Sequence, residues 1–226
     1  MPYLLRNDDI IAAALLLSFV FIVWAVTRSW AYLEGWRTDF FNAGGKRKKF
    51  TKLVGVQLNG YVPIVVSVSL LFGILVTGYV QREAPEVMAH FSPQGVFVIG
   101  ACGVLVVILL KLLLYFLVNA TFFRREQTQD WARTYVVTLL IEAILLLPLV
   151  VAKVYLHTTV DIEGWWLLTI LAIVEFVRLI KLKVTFFHGM LGYVHIFLYF
   201  CTLNLATDLI TWRLLTQIKL LLDIVR

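Results

Sequence analysis

Charged side chains are scarce in this sequence, and their scarcity excludes a soluble globular protein. Asp, Glu, Lys and Arg make up 15% of the 226 residues, whereas hydrophobic residues make up 61%; a soluble domain has roughly 25% charged residues. Each membrane crossing takes about 20 apolar residues, so six crossings take about 120 and leave only short loops. We therefore expect a single integral membrane domain over residues 1–226.

Cysteines and catalytic motifs are also lacking. The two cysteines, Cys102 and Cys201, fall in apolar stretches far apart in the sequence, so the sequence suggests neither a disulfide framework nor a cysteine zinc site. The sequence contains no HExxH, GxSxG, CxxC or Walker lysine loop, so we predict no catalytic residue and no cofactor. His188 and His195 lie on one face, but no carboxylate follows either at i+3 or i+4 to complete a metal site. We expect that the protein is not an enzyme.

What the sequence has in abundance is long apolar stretches. Six are long enough to cross a bilayer as helices: residues 10–29, 58–80, 95–120, 134–156, 164–182 and 188–210. The first begins beside Asp8 and Asp9 and has no small-residue cleavage site, which favours a transmembrane helix over a secretory signal. The predicted fold class is an all-α polytopic membrane helix bundle with about six transmembrane helices.

The tail, residues 211–226, has two interpretations. Thr216, Lys219, Asp223 and Arg226 recur at spacings of 3, 4 and 3, with apolar residues on another side. This pattern is typical of an amphipathic helix that lies on the membrane surface. The alternative is that the sixth helix simply continues out of the bilayer.

Lys and Arg are distributed unequally between the two sets of loops. The loops after helices one, three and five hold thirteen: Arg28, Arg37, Lys46, Arg47, Lys48, Lys49, Lys52, Arg124, Arg125, Arg133, Arg178, Lys181 and Lys183. The N-terminus, the other loops and the tail hold six: Arg6, Arg82, Lys153, Arg213, Lys219 and Arg226. By the positive-inside rule the first set is cytoplasmic and both termini lie outside. The basic tail is the one feature that opposes this orientation.

Ionisable side chains inside membrane spans are costly and normally have a partner or line a pathway. The predicted spans contain eight: Lys111, Glu142, Lys153, Glu175, Arg178, His188, His195 and Asp208. Residues equally distant from a tight turn lie at similar depth, and three pairs are predicted on this basis: Lys111 with Glu142, Glu175 with His195, and Lys153 with Asp208. For Glu175, Arg178 is an alternative partner. We interpret the eight as a buried polar network; the other interpretation is a proton or ion path through Glu142, Glu175 and His195.

The segment KRKKFTK, residues 46–52, is the clearest basic feature. Its five basic residues are Lys46, Arg47, Lys48, Lys49 and Lys52. Such a segment beside a membrane helix binds anionic lipid headgroups, and it also holds its loop in the cytoplasm, which is the simpler interpretation. A narrower alternative is contact with nucleic acid, for example ribosomal RNA, because phosphate binding requires only a basic patch.

Three stretches carry a resemblance to a known family: RNDDIIAAALLL, TYVVTLLIEAILLLPLVVA and VHIFLYFCTLNLATDLI. Together they resemble an uncharacterised family of Gram-negative bacterial polytopic inner-membrane proteins, catalogued as a domain of unknown function. The family usually has an acid and a proline after its Tyr-x-Cys signature, where this chain has Asn204 and Ala206, with Asp208 further along. The resemblance implies the bacterial inner membrane as the compartment and implies no activity.

The predicted function is a non-catalytic accessory or scaffold subunit of a bacterial envelope complex, such as one for protein translocation or biogenesis. Its expected partners are the lipid bilayer, anionic lipids and other integral membrane proteins, and no small-molecule substrate is predicted. The alternative is a small ion- or proton-coupled transporter that uses Glu175 and His195 near the bilayer middle. Pro63 and Pro148 lie in non-equivalent places and no internal repeat is visible, which disfavours the transporter.

Overall fold

The computed structural model describes residues 5, 8–41, 61–83, 91–122, 125–156 and 160–186. These ranges contain five α-helices: α1 Asp9–Phe41, α2 Tyr61–Glu83, α3 Pro93–Phe122, α4 Arg125–Tyr155 and α5 Val160–Phe186. The all-α prediction is confirmed for these ranges, which include no strand. The predicted sixth helix, residues 188–210, and the tail, residues 211–226, lie outside them.

Four of the helices contain a segment long and apolar enough to cross a membrane. These segments are Asp9–Arg28, Tyr61–Arg82, Pro93–Leu117 and Thr134–Tyr155, and they coincide with the first four predicted spans. α5 is 27 residues long, but Glu163, Glu175 and Arg178 interrupt its apolar stretch, and it is not among the four. The chain is thus a membrane protein by helix length and composition, and the fifth and sixth crossings stay predictions.

Two predicted loops are partly or largely helical. α1 continues to Phe41, well beyond the expected end of the first span at residue 29, and α4 begins at Arg125, inside the charged turn expected over residues 123–133. The prediction of that turn was wrong because hydropathy marks where a span leaves the bilayer, not where the helix ends. Arg, Glu and Gln, which open α4, are good helix formers in water.

The helix starts follow from local hydrogen bonds. At α1, the Asp8 carboxylate oxygen Oδ1 accepts a hydrogen bond from the Ile10 amide at 2.8 Å. At α3, the Ser92 hydroxyl accepts one from the Gly95 amide at 3.2 Å, and Pro93 occupies the first helical position. These are favourable N-caps, because a side-chain oxygen satisfies an amide that has no partner within the helix.

The chain forms two compact units, the first comprising residues Met1–Leu105 and Tyr135–Val174. Within this unit α2 and the second half of α4 lie innermost: 61% and 67% of their membrane segments are buried, against 28% for α1. Within its membrane segment, Asp9–Arg28, α1 buries a single face, formed by Ile11, Ala14, Ser18, Ile22 and Ala25. The opposite face of α1 is apolar and exposed, as expected for a helix that contacts lipid.

Small residues bring the helices of the first unit close together. A β-carbon added at Gly73 on α2 would lie 2.9 Å from the Ala101 β-carbon on α3, and one added at Gly100 would lie 3.2 Å from Val76. Between α1 and α2, the Ser67 hydroxyl oxygen lies 3.5 Å from the Ser18 carbonyl oxygen. Close approach at glycine, alanine and serine is typical of helix packing in membranes, where dispersion contacts drive association.

Buried hydroxyl groups of the first unit bond within their own helices. Their acceptors are main-chain carbonyls three or four residues earlier: Ser18 to Ala14, Ser67 to Pro63, Ser69 to Val65, Thr77 to Gly73 and Thr138 to Tyr135. Each hydroxyl therefore enters an apolar environment without an unsatisfied donor. This arrangement is compatible with a core surrounded by lipid.

The second unit comprises Val106–Thr134 and Glu175–Arg226. Its part of α3 buries Ile108, Lys111 and Tyr115, which lie on one helix face at spacings of three and four. Over residues 106–117, where side-chain burial is described, the exposed residues of α3 are apolar: Val106, Leu109, Leu110, Leu113, Phe116 and Leu117. Lys111 is one of the eight ionisable residues that the sequence places inside membrane spans.

Candidate functional site

Three charged side chains of the first unit form a partly buried ion cluster at one end of the helices. The Glu163 carboxylate receives Lys153 Nζ on Oε2 at 2.7 Å and Arg82 Nη1 on Oε1 at 3.3 Å. The exposed fractions are 9% for the Glu163 side chain, 7% for Lys153 and 34% for Arg82. Arg82, Lys153 and Glu163 are called the Glu163 cluster below.

The positions of these residues in their helices favour their charges. Arg82 lies in the last turn of α2 and Lys153 in the last turn of α4, where the negative end of the helix dipole stabilises a cation. Glu163 lies near the start of α5, where the positive end stabilises a carboxylate. The cluster therefore joins three helix ends, each with the favourable charge.

Gly78, one turn before Arg82, provides the space for Lys153. A β-carbon at Gly78 would overlap Cε of Lys153, and it would also lie 3.2 Å from a methyl group of Leu5. The lysine stem thus runs across the surface of α2 at the only kind of residue that leaves room for it. This contact directs the Lys153 ammonium toward Glu163.

Lys153 was predicted from the sequence as a buried charge, whereas Glu163 and Arg82 were not. The partner predicted for Lys153, Asp208, lies outside the described residues, so that pair stays a prediction. A signal for Glu163 was present: α4 ends at Tyr155 and α5 begins at Val160, so Lys153 and Glu163 each lie five residues from residue 158. Glu163 was missed because it stands one residue before the predicted span 164–182.

A second ion pair lies within α5, in the second unit. Arg178 Nη1 donates to Glu175 Oε1 at 2.5 Å, and the two side chains are 7% and 24% exposed. Of the two partners considered for Glu175 from the sequence, the structure shows Arg178. The other, His195, lies outside the described residues, as do His188 and Asp208.

Lys111 and Glu142 are both buried, at 8% and 6% exposure, and each makes a polar or electrostatic contact. They belong to different compact units, and their pairing stays a prediction. The two residues are not equally distant from the observed helix ends, because Lys111 precedes residue 123 by 12 positions and Glu142 follows residue 124 by 18.

The predicted lipid-binding segment lies outside the described residues. It comprises Lys46, Arg47, Lys48, Lys49 and Lys52. Within the described ranges no three His, Cys, Asp or Glu side chains converge as ligands for a metal ion. The chemistry that the described residues do show is charge pairing: each Glu163 oxygen contacts a different cation, an arrangement that fixes helices in place.

Comparison with known proteins gives one family match. Residues 11–215 match the family described as a domain of unknown function (DUF4271). No curated protein and no solved structure gives a significant match. The resemblance noted in the sequence is confirmed as far as a family of unknown function, and its Gram-negative, inner-membrane character stays a prediction.

Proposed function

The chain belongs to the DUF4271 family, whose description specifies no activity, and we propose from its residues that it is a non-catalytic scaffold or accessory subunit of a bacterial envelope complex. In this proposal it resides in the inner membrane with its N-terminus outside. Its partners are the bilayer, anionic lipids and other integral membrane proteins. Complexes for protein translocation or biogenesis are the setting that we propose for it.

The observation that carries this proposal is the internal pairing of charges. Glu163 contacts Lys153 and Arg82, and Glu175 contacts Arg178. Charges that move an ion must be reached by it, whereas charges that pair between or along helices stabilise one arrangement of a membrane protein. The exposed apolar faces of α1 and of the second-unit part of α3 are surfaces suited to lipid or to other membrane helices.

Glu175→Gln tests the scaffold against the transporter alternative. We expect normal protein level and near-normal function, because a glutamine still accepts a hydrogen bond from Arg178. A proton-coupled transporter that uses Glu175 would lose activity at normal level. The measurement is growth in a complementation assay, with membrane abundance determined in parallel.

Thr169→Ala is the matched control for that experiment, because Thr169 is exposed on the same helix and bonds only to the Trp165 carbonyl at 2.8 Å in the described contacts. The tagged proteins should also be purified in mild detergent. In the scaffold proposal the Glu175→Gln and wild-type proteins retain the same membrane-protein partners. Complete loss of function at normal abundance, with partners retained, would overturn the proposal.

The orientation has its own test, based on the thirteen to six distribution of basic residues. Single cysteines are introduced into a background lacking Cys102 and Cys201, and intact cells are treated with a membrane-impermeant thiol reagent. We expect labelling within residues 83–92 and protection within residues 44–50. Permeabilised cells, in which both regions should react, provide the control. The reverse pattern in intact cells would show that the topology is inverted.

A further inference from the structure

The Glu163 cluster lies at the end of the first unit where two membrane segments end and a third begins. The segment of α2 ends at Arg82, that of α4 ends at Tyr155, and that of α3 begins at Pro93. Contacts between helices place these termini together: Gly73 faces Ala101, and Lys153 crosses Gly78. This level of the unit therefore corresponds to one boundary of the hydrocarbon core.

Exposed aromatic side chains of the first unit occur at the same level. Tyr79 on α2 is 52% exposed, Tyr155 on α4 48%, and Trp165 and Trp166 near the start of α5 are 70% and 41% exposed. Tyr and Trp are enriched at headgroup depth because an apolar ring and a polar atom suit that boundary. The aromatic residues independently identify this end as an interface with lipid headgroups.

The charges at this end are arranged asymmetrically. Lys153 and Glu163 are buried and offset each other, whereas Arg82 is the second cation on the same carboxylate and is one third exposed. Asp8 and Asp9 begin α1 at this end as well, and Asp8 caps the helix through the Ile10 amide. The partly exposed cation within the cluster is thus a guanidinium, held in place through Nη1 by Glu163.

We infer that Arg82 is a binding site for the phosphate of a glycerophospholipid in the adjacent leaflet. A guanidinium presents a planar fork of N–H donors that matches phosphate oxygens, and here it lies at headgroup depth. Tyr79, one turn earlier on α2, and the exposed tryptophans supply a surface for the glycerol and upper acyl region. Glu163 acts as a positioning residue that keeps the guanidinium at this depth. The inference uses no residue of the basic segment 46–52 and does not depend on the scaffold proposal.

The test measures the thermal midpoint Tm of the full-length protein in mild detergent after lipid is added. Phosphatidylglycerol and phosphatidylethanolamine should raise the wild-type Tm by roughly 3 °C more than diacylglycerol with the same acyl chains. Inorganic phosphate alone should give no such rise. A wild-type protein that responds equally to diacylglycerol, or that responds fully to inorganic phosphate, would overturn the inference of a phospholipid site.

Substitutions test whether Arg82 causes the larger rise in Tm with phospholipid than with diacylglycerol. Arg82→Gln should lose the difference between phospholipid and diacylglycerol, and Arg28→Gln should keep it, since Arg28 stacks on Trp24 near the other end of the α1 membrane segment. Glu163→Gln retains the guanidinium and should keep at least part of the difference, even though its basal Tm falls. Equal loss in Arg82→Gln and Glu163→Gln would show that Arg82 acts only through the cluster and would overturn the inference. Retention in Arg82→Gln would do the same.

Discussion

Glu163→Leu is expected to lower the stability of the protein more than any other single change in the Glu163 cluster. It leaves the Lys153 ammonium without its carboxylate partner at 2.7 Å, with a side chain that is 7% exposed. Removing one partner of a buried ion pair typically costs about 3–5 kcal/mol. The measurements are the abundance of the protein in the membrane and the thermal midpoint of the solubilised protein, determined by circular dichroism.

The expected losses of stability for the other two variants follow from the contacts and the exposure of the side chains that are changed. Lys153→Met should cost less than Glu163→Leu, because Arg82 still contacts the carboxylate, and Arg82→Gln should cost least. The double variant Lys153→Met/Glu163→Leu should recover much of the loss. Gly164→Ala is the control, since a β-carbon there meets no atom within 4 Å. If the double variant is no more stable than Glu163→Leu, the loss of stability in Glu163→Leu does not come from the unpaired Lys153 ammonium.

Gly73→Val is expected to have the second largest effect, by forcing α2 and α3 apart. Its β-carbon would lie 2.9 Å from the Ala101 β-carbon and 3.1 Å from the Ala101 amide nitrogen. Main-chain atoms and a β-carbon cannot rotate away, so the helices must separate. Overpacking of this kind typically costs about 1–3 kcal/mol. The thermal midpoint in detergent again provides the measurement.

Gly103→Val provides the matched control, because Gly103 lies on α3 and an added β-carbon there meets nothing within 4 Å. We expect the Gly103 variant to behave like wild type. Adding Ala101→Gly to Gly73→Val should give partial rescue, since the amide contact remains. Similar destabilisation by the two glycine substitutions would indicate that the helix backbone, not the α2–α3 contact, determines the effect.

The apolar stretches were sufficient to predict the helical class and the first four membrane segments. They did not predict helix ends, because α1 and α4 continue as helices beyond their apolar segments, where sequence hydropathy no longer distinguishes helix from loop. α5 shows a different limit. Its apolar length suggested a crossing, but Glu163, Glu175 and Arg178 lie within the helix, and length alone does not decide how such charges are accommodated.

The Glu163 cluster was harder to predict than the helices because its members come from three separate helix ends. The rule that residues equally distant from a short turn lie at equal depth could have predicted the pair of Lys153 and Glu163. Arg82 was not, since it precedes Lys153 by 71 positions in the sequence and no local spacing relates the two. No local sequence pattern around Gly78 predicts that a lysine of α4 packs against this glycine.

The contact between Gly78 and Lys153 restricts how the two positions can evolve. A side chain at position 78 would overlap the end of the lysine stem, so a larger residue there must displace the Lys153 ammonium or accompany a shorter residue at position 153. A shorter or displaced residue at 153 in turn removes the 2.7 Å contact of Lys153 with Glu163, which favours a change of the acid as well. We expect positions 78, 153 and 163 to covary in an alignment of the family, changing together rather than one at a time.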